Sequence, residues 1–384
     1  MVEGAEGVPA GPFPFDSLLK HVMRSTGMLD EPQLLVFAVV AVLVACVGED
    51  GRSSVSASRP DLSGTYDLAT LTPIERPPEF GDSLYLAPEV ARAIEEDQRR
   101  FLEERSEPTD PSRGAPRIGG APPVGIAEAN WRFSPQGEVG SYNQFWLEQG
   151  DSVMRVDGKF RTSIVTDPPN GRRPPLSPEG RAATLAFLGA RAAGDRRVAP
   201  DGLGPFDDPE TRPLSERCLA AISSTVPALP AVYNNVKRIV QTDDRVMLLN
   251  EMVHDARVIR LDSEHAPPEL RFYLGDSIGW WEGDTLVVDT TNFLGPWGSL
   301  ELSRTTHVIE RFTPTDDGNL HYSFTVEDPG RWIAPWSGDF VWRRTDSKVY
   351  EYACHEGNQA IVNVLRGARW QERAEVRERS GTVQ

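Results

Sequence analysis

Residues 275–293 read GDSIGWWEGDTLVVDTTNF, and this stretch points directly to a fold class. It holds two runs rich in aromatic and β-branched residues, 277–281 and 284–290, which are residue types that favour strands. A turn with Gly283 near its centre lies between them, and short links that contain glycine are what β-hairpins use. The stretch therefore predicts two antiparallel strands joined by a tight turn.

Similar runs continue on both sides of this hairpin, at spacings of 8–12 residues and with turn signals between them. Such regular spacing predicts a mainly β fold, an antiparallel meander that forms a sandwich or a lipocalin-like barrel. A shorter strand is expected soon after Asp61. The main predicted strands are 236–241, 245–251, 256–261, 277–281, 284–290, 305–312, 319–326, 339–344 and 348–353, with two more at 141–147 and 160–166.

Helices are expected to be few and peripheral. Residues 88–104, 178–193 and 359–379 carry helical patterns, the first with Pro88 at its start. Long loops rich in proline and glycine are expected at 107–129 and 194–231, in a chain with 33 Gly and 32 Pro. These loops connect the strands without adding to the sheet.

An apolar segment, residues 34–48, precedes the β-rich region and reads LLVFAVVAVLVACVG without a single charge. It is short for a bilayer-spanning helix, which needs about 20 residues, and typical of a signal-peptide core. Its last four residues end at Cys46 and resemble a lipobox, in which the cysteine carries the lipid. A cleaved lipoprotein, a retained anchor and a buried core segment remain alternatives.

The charges around the apolar segment indicate the direction of transfer. Lys20 and Arg24 precede it, whereas Glu49 and Asp50 follow it, which places the rest of the chain outside the cytoplasm. The expected organisation is a leader or inner-side segment at 1–33, the apolar segment, a tether at 49–60 and a β-rich domain at 61–384. The expected location is the periplasmic side of a bacterial membrane.

Charge and motif content limit the partners. The net charge is −17, so nucleic acid is not expected to bind. The expected partners are the membrane, through residues 34–48 or a lipid on Cys46, and an integral membrane complex. No phosphate-binding glycine loop or nucleotide fingerprint occurs in the sequence, and no cofactor is expected.

Seven strings together resemble an uncharacterised family of bacterial secreted and lipoprotein-like proteins. The resemblance covers residues 61–370, departs from the family pattern at Val236 and at residues 294–297, and implies no catalytic residue set. The strings are LTPIERP (71–77), RTSIVTDPPNGRRPPL (161–176), YNN (233–235), EMVHDARVI (251–259), GDSIGWWEGDTLVVDTTNF (275–293), THVIERF (306–312) and YEYACHEGN (350–358).

Three histidines inside these strings, His254, His307 and His355, have carboxylates nearby in sequence, including Asp255 and Glu356. If the fold brings these five residues together, a histidine could act as a general base with a carboxylate that orients it. Alternatively, each histidine satisfies a local hydrogen bond. No pair has the spacing of metal ligands, so no metal is expected.

Cys218 and Cys354 form an even pair in the expected extracytoplasmic domain. A disulfide between them would close a long loop and contribute about 4–5 kcal/mol in the chain-entropy model. Two buried free thiols are the other possibility. The sequence alone leaves both open.

Three functions are compatible with these observations. The favoured one is a membrane-tethered, extracytoplasmic, non-catalytic binding, scaffold or accessory subunit. The second is a periplasmic hydrolase, lyase or isomerase with a site that includes His254, Asp255, His355, Glu356 and His307. The third is a lipocalin-like carrier of an apolar ligand, which requires an open cavity.

Overall fold

A computed structural model of the chain describes residues 59–106, 148, 150–192, 204, 206–221, 223–295 and 302–381. The expectations for residues 1–33, for 34–48 with Cys46, and for nearly all of the tether lie outside these residues. The expected strand at 141–147 also lies outside them. The structure therefore bears on the β-rich domain and on its functional residues.

Nine strands close into a barrel in the order β1, β5, β6, β7, β8, β9, β10, β11, β12, and back to β1. Short β4 lies outside on β12, and β2 and β3 form a separate small hairpin. The mainly β prediction is confirmed, with the barrel as the architecture. The strands are β1 Gly64–Asp67, β2 Arg155–Val156, β3 Lys159–Phe160, β4 Val165–Asp167, β5 Val236–Gln241, β6 Arg245–Asn250, β7 Ala256–Leu261, β8 Asp276–Glu282, β9 Thr285–Thr291, β10 His307–Pro314, β11 Leu320–Glu327 and β12 Trp336–Arg344.

Three helices are found among the described residues: α1 Pro88–Ser106, α2 Pro178–Ala192 and α3 Ala360–Arg379. The Ser177 hydroxyl accepts a hydrogen bond from the Gly180 amide, at 2.9 Å, and so caps the start of α2. Helix α1 packs Ala91, which is fully buried, into a small apolar cluster with Val153 and Phe160. The helices lie where the sequence predicts them because their caps and apolar spacings are local signals.

One neighbouring pair of the barrel, β7 and β8, is parallel, with Ile259 opposite Ser277 and Leu261 opposite Gly279. The other eight pairs are antiparallel, as expected. Each antiparallel pair reverses the strand direction, so a closed ring can contain only an even number of such pairs. A ring of nine strands therefore cannot be antiparallel throughout. Residues 262–275 carry the chain back along the barrel between β7 and β8.

The barrel closes where β12 meets β1, through the pairs Tyr66–Arg344 and Asp67–Arg343. Farther along β12, Ser337 and Gly338 pair with β4 instead. The prediction of a further strand at 348–353 is wrong. Once β1 occupies the edge of β12, the closed barrel leaves no free edge for another strand.

The interior of the barrel is filled by side chains that alternate inward along the strands. Tyr322 lies at the centre of an aromatic cluster, 4.9 Å from Trp342 and 5.0 Å from Phe312 between ring centroids. A cavity near Pro227 and Trp336 has a volume of about 10 Å³, room for about one water molecule. The carrier alternative, which needs an open apolar cavity, gains no support from this interior.

A buried ion pair crosses the interior from β7 to β10. An Arg257 N–H donates to Glu310 Oε2 at 2.6 Å, and the Tyr322 hydroxyl donates to Glu310 Oε1 at 2.7 Å. Burial first, and then the Glu310 charge, raise the pKa of Tyr322 well above its ordinary value, so the hydroxyl remains a donor. The Ala228 amide donates to the Tyr322 oxygen at 3.0 Å and ties the segment before β5 into the barrel.

Glu310→Gln is expected to lower the free energy of unfolding by about 3–5 kcal/mol, because it leaves the Arg257 charge buried and unpaired. The control is Arg311→Gln on the adjacent residue, whose pair with Glu282 is exposed and worth about 1 kcal/mol or less. Urea denaturation of each variant measures the difference.

Equal losses for Glu310→Gln and Arg311→Gln would contradict this account of the interior. If Glu310→Gln does not fold, the double variant Arg257→Met with Glu310→Met provides the second comparison. It removes both charges together, so it is expected to be more stable than either single change to Met.

Candidate functional site

The turn between β6 and β7 contains two of the predicted site residues, His254 and Asp255. Val253 and His254 have positive φ angles of 61° and 53°, so the turn is held in a backbone conformation that side chains of this kind rarely adopt. The Asp255 carboxylate accepts a hydrogen bond from the Ala221 amide at 2.8 Å. Burial is the main reason that the pKa of Asp255 is raised. The His254 side chain is exposed.

A buried lysine, Lys237, lies close to this turn and was not among the residues expected from the sequence. Its side chain is 1 % exposed, and its Nζ donates to the Asn234 carbonyl oxygen at 2.6 Å. Burial lowers the pKa of Lys237 to about 7, against the opposing effect of Glu148, Asp255 and Glu251. Alternate residues of a strand share a face, so Lys237 lies on the same buried face of β5 as Ile239. A lysine at such a position of the predicted strand is the signal that could have revealed it.

Asn234 connects three segments around Lys237. It has a positive φ of 64°, its Oδ1 accepts from the Met252 amide at 3.0 Å, and its Nδ2 donates to Ser223 Oγ at 3.0 Å. The amino group of Lys237 therefore holds a backbone carbonyl within a closed hydrogen-bonded arrangement. In this arrangement the lysine supports the turn rather than facing solvent.

Cys218 and Cys354 are joined by a disulfide, with 5.8 Å between their Cα atoms and 136 residues between them in sequence. The Tyr350 amide also donates to Glu251 Oε2 at 2.9 Å, and Asn358 Nδ2 donates to the Glu216 carbonyl at 2.6 Å. These contacts bring three segments to one end of the barrel. We call this end the disulfide rim, residues 218–221, 223–224, 251–255 and 350–358.

The disulfide rim contains four of the five predicted site residues: His254, Asp255, His355 and Glu356. The side chains of His254, His355 and Glu356 are exposed. Within the described part of the chain, no hydrogen bond or ion pair joins these three side chains to one another or to the Asp255 carboxylate. The rim therefore collects these residues without arranging them as an acid–base pair.

His307, the fifth residue, belongs to a different group. Its Nε2 lies 3.0 Å from Asp289 Oδ1, and its Nδ1 lies 3.5 Å from Glu327 Oε2. The same Asp289 oxygen lies 3.2 Å from Nε2 of His265, whose Nδ1 lies 3.0 Å from Asp276 Oδ2. We call this group the histidine network; its members are Arg260, Asp276, His265, Asp289, His307 and Glu327.

Carboxylates surround both histidine rings of the histidine network. Both nitrogens of His265 and of His307 face carboxylates, so neither ring presents a free nitrogen. The hydrogen bond with Asp289 is the largest reason that the pKa of His307 is raised. Burial alone would raise the pKa of Asp276, but hydrogen bonds from Arg260, Ala266 and His265 lower it to about 2.

The described residues contain neither a cluster of metal-ligand side chains nor a helix that could span a membrane. In these ranges no three histidine, cysteine, aspartate or glutamate side chains are arranged so that they could hold a metal ion. None of the helices in the described part of the chain has the length and apolar character that a membrane span requires.

Comparison with known proteins gives no identification. No family model matches the chain. No curated protein matches it either. The family resemblance carried by the seven sequence strings therefore remains a prediction.

The histidine network should make stability depend on pH. The raised pKa of His307 means that its contribution is complete below the ordinary histidine pKa of about 6.5 and is lost as pH rises through the higher folded-state pKa. His307→Gln is expected to lower the free energy of unfolding by about 1 kcal/mol or less near pH 5.5 and by less near pH 9, because the site is partly solvent-screened.

Urea denaturation at both pH values measures this difference. His355→Gln is the matched control, because His355 is exposed and contacts none of the network carboxylates. A His307→Gln effect that stays constant across this pH range would contradict the charged state assigned to the network.

Proposed function

We propose that this chain is a membrane-tethered, extracytoplasmic, non-catalytic binding, scaffold or accessory subunit, located on the periplasmic side of a bacterial membrane. One observation carries the proposal. The barrel interior is filled by aromatic side chains and crossed by the Arg257–Glu310 pair, so the rims and the outer surface remain for binding. A partner of such a domain contacts its surface, as subunits of an assembly do.

The arrangement of the titratable groups supports a non-catalytic role. In the histidine network, each ring nitrogen is directed at a carboxylate, and Lys237 is buried against a backbone carbonyl. A general base needs a group within hydrogen-bond reach of a substrate proton. At the disulfide rim, the exposed His254 and His355 lack the carboxylate contact that would orient them.

The disulfide supports the extracytoplasmic location. Disulfides persist in oxidising compartments such as the periplasm and are rare in the cytosol, where thiols are kept reduced. The apolar residues 34–48 and Cys46 supply the route to that compartment and the attachment to the membrane. Lipid on Cys46 and a retained apolar helix are the two forms of this attachment.

The location can be tested through the redox state of Cys218 and Cys354 in cells. In the full chain both are expected to resist a thiol-alkylating reagent until a reductant is added, as read from a mass shift. A variant that lacks residues 1–48 remains in the cytoplasm, and both thiols are then expected to react at once. Reaction of Cys218 and Cys354 in the full chain without reductant would contradict the proposed location; Cys46, which is outside the disulfide, is not counted.

The variant Cys46→Ala distinguishes the two forms of membrane attachment. If Cys46 carries the lipid, the chain incorporates a labelled fatty acid and the Cys46→Ala variant does not, whereas a retained apolar helix leaves both unlabelled. For the accessory role, gentle solubilisation of native membranes is expected to release the chain in a complex larger than its own mass. A monomer under these conditions, with the chain correctly exported, would contradict the accessory role.

A further inference from the structure

No side chain of helix α3 is fully buried, and Arg369 is the residue that contacts the segment at 206–207. Ile361, Leu365 and Ala368 are partly buried, at the spacing that places them on one helix face. On the same helix, Arg369 donates to the backbone oxygens of Phe206 and Asp207. Arg369 lies about 100° from Trp370 around the helix, so the contacts with residues 206 and 207 are made away from Trp370.

The outward side of α3 carries an aromatic ring among cations. Trp370 is 71 % exposed, and Arg366, Arg373 and Arg377 are exposed at positions four before, three after and seven after it. Residues at these spacings are neighbours on one helix surface. We call these four side chains the outer face of α3.

The three arginines of the outer face form no ion pair within the described part of the chain. Of the three carboxylates of α3, Glu372 pairs with Arg369 at 2.7 Å and Glu375 lies 4.0 Å from Arg379. The third, Glu378, is exposed and lies about 80° from Trp370 around the helix, at the edge of the outer face. At about 100° per residue, Glu372 and Glu375 both lie more than a right angle from Trp370 around the helix. The outer face is therefore positively charged.

This face contrasts with the chain as a whole. The net charge is −17, yet three arginines without an ion pair in the described ranges lie around Trp370, the most exposed large apolar side chain among the described residues. Tryptophan is enriched at the level of lipid headgroups, and arginine is attracted to anionic headgroups. Helices that lie on membranes combine these two features.

We propose that the outer face of α3 docks on an anionic lipid surface, with the three arginines on headgroup phosphates and Trp370 at headgroup depth. The inference rests on the proposed location at a membrane, which brings lipid within reach. It adds a second contact beside the tether. Such a contact would limit the orientations that the barrel can take.

The test measures amide hydrogen exchange of residues 360–381 in the full chain, which is either reconstituted into nanodiscs or mixed with them. It compares discs that contain an anionic lipid with discs that contain zwitterionic lipid only. In discs with anionic phosphatidylglycerol, exchange in α3 is expected to slow by about tenfold or more relative to purely zwitterionic discs. Salt at about 0.5 M should abolish the protection, because it screens the headgroup charge. Equal exchange in both kinds of disc would overturn the proposal.

The variant Arg366→Glu with Arg373→Glu and Arg377→Glu is expected to lose the protection, and Trp370→Ser to lose part of it. The control changes charge equally at exposed positions elsewhere: Arg99→Glu, Arg181→Glu and Lys348→Glu. This control is expected to keep the protection. Unchanged exchange of both triple variants in lipid-free solution, relative to the unmodified chain, verifies that α3 is folded.

Two outcomes distinguish the lipid contact from an acidic protein partner and from the proposed accessory function. Protection by soluble polyglutamate, without protection by anionic discs, would assign the face to an acidic protein and overturn the lipid proposal. The redox and solubilisation results test the proposed function independently. If the chain is correctly exported but anionic discs do not slow exchange in α3, the lipid contact is contradicted and the proposed function is not.

Discussion

Closure of the barrel with nine strands is the constraint from which much of this structure follows. An odd ring requires a parallel pair, and here that pair is β7 and β8. A parallel pair requires a connection that returns along the strands. Residues 262–275 make this connection and carry His265 to Asp276 and Asp289. The histidine network is thus a consequence of the topology, because no hairpin between β7 and β8 would bring these residues together.

The interior of the barrel follows from strand alternation. Side chains point alternately inward and outward, so residues three apart on one strand face opposite sides. His307 and Glu310 are such a pair: Glu310 is fully buried and paired with Arg257, while His307 joins carboxylates on the outside. A buried pair of this kind is a modest source of net stability. Together with Tyr322, this pair forms hydrogen bonds that connect β7, β10 and β11 with the segment that precedes β5.

Four groups of residues in this structure differ in exposure and in charge. The interior pair is closed to solvent, and the histidine network saturates its own rings with carboxylates. The disulfide rim joins segments far apart in sequence and carries the exposed side chains of His254, His355 and Glu356. The outer face of α3 lies on the last helix, and its charge is opposite in sign to that of the chain.

The sequence by itself determined the β class, the positions of most strands within about two residues, and the three helices, since alternation, turns and caps are local signals. It also indicated His254, Asp255, His355 and Glu356 as candidate site residues and Cys218 and Cys354 as a possible pair. Only the tertiary structure decided the barrel over the sandwich, the parallel pair, the disulfide and the separation of His307 from the other candidates. Arg257 and Glu310 are 53 residues apart and Cys218 and Cys354 are 136 apart, so their contacts depend on strand order and direction, which no local pattern encodes.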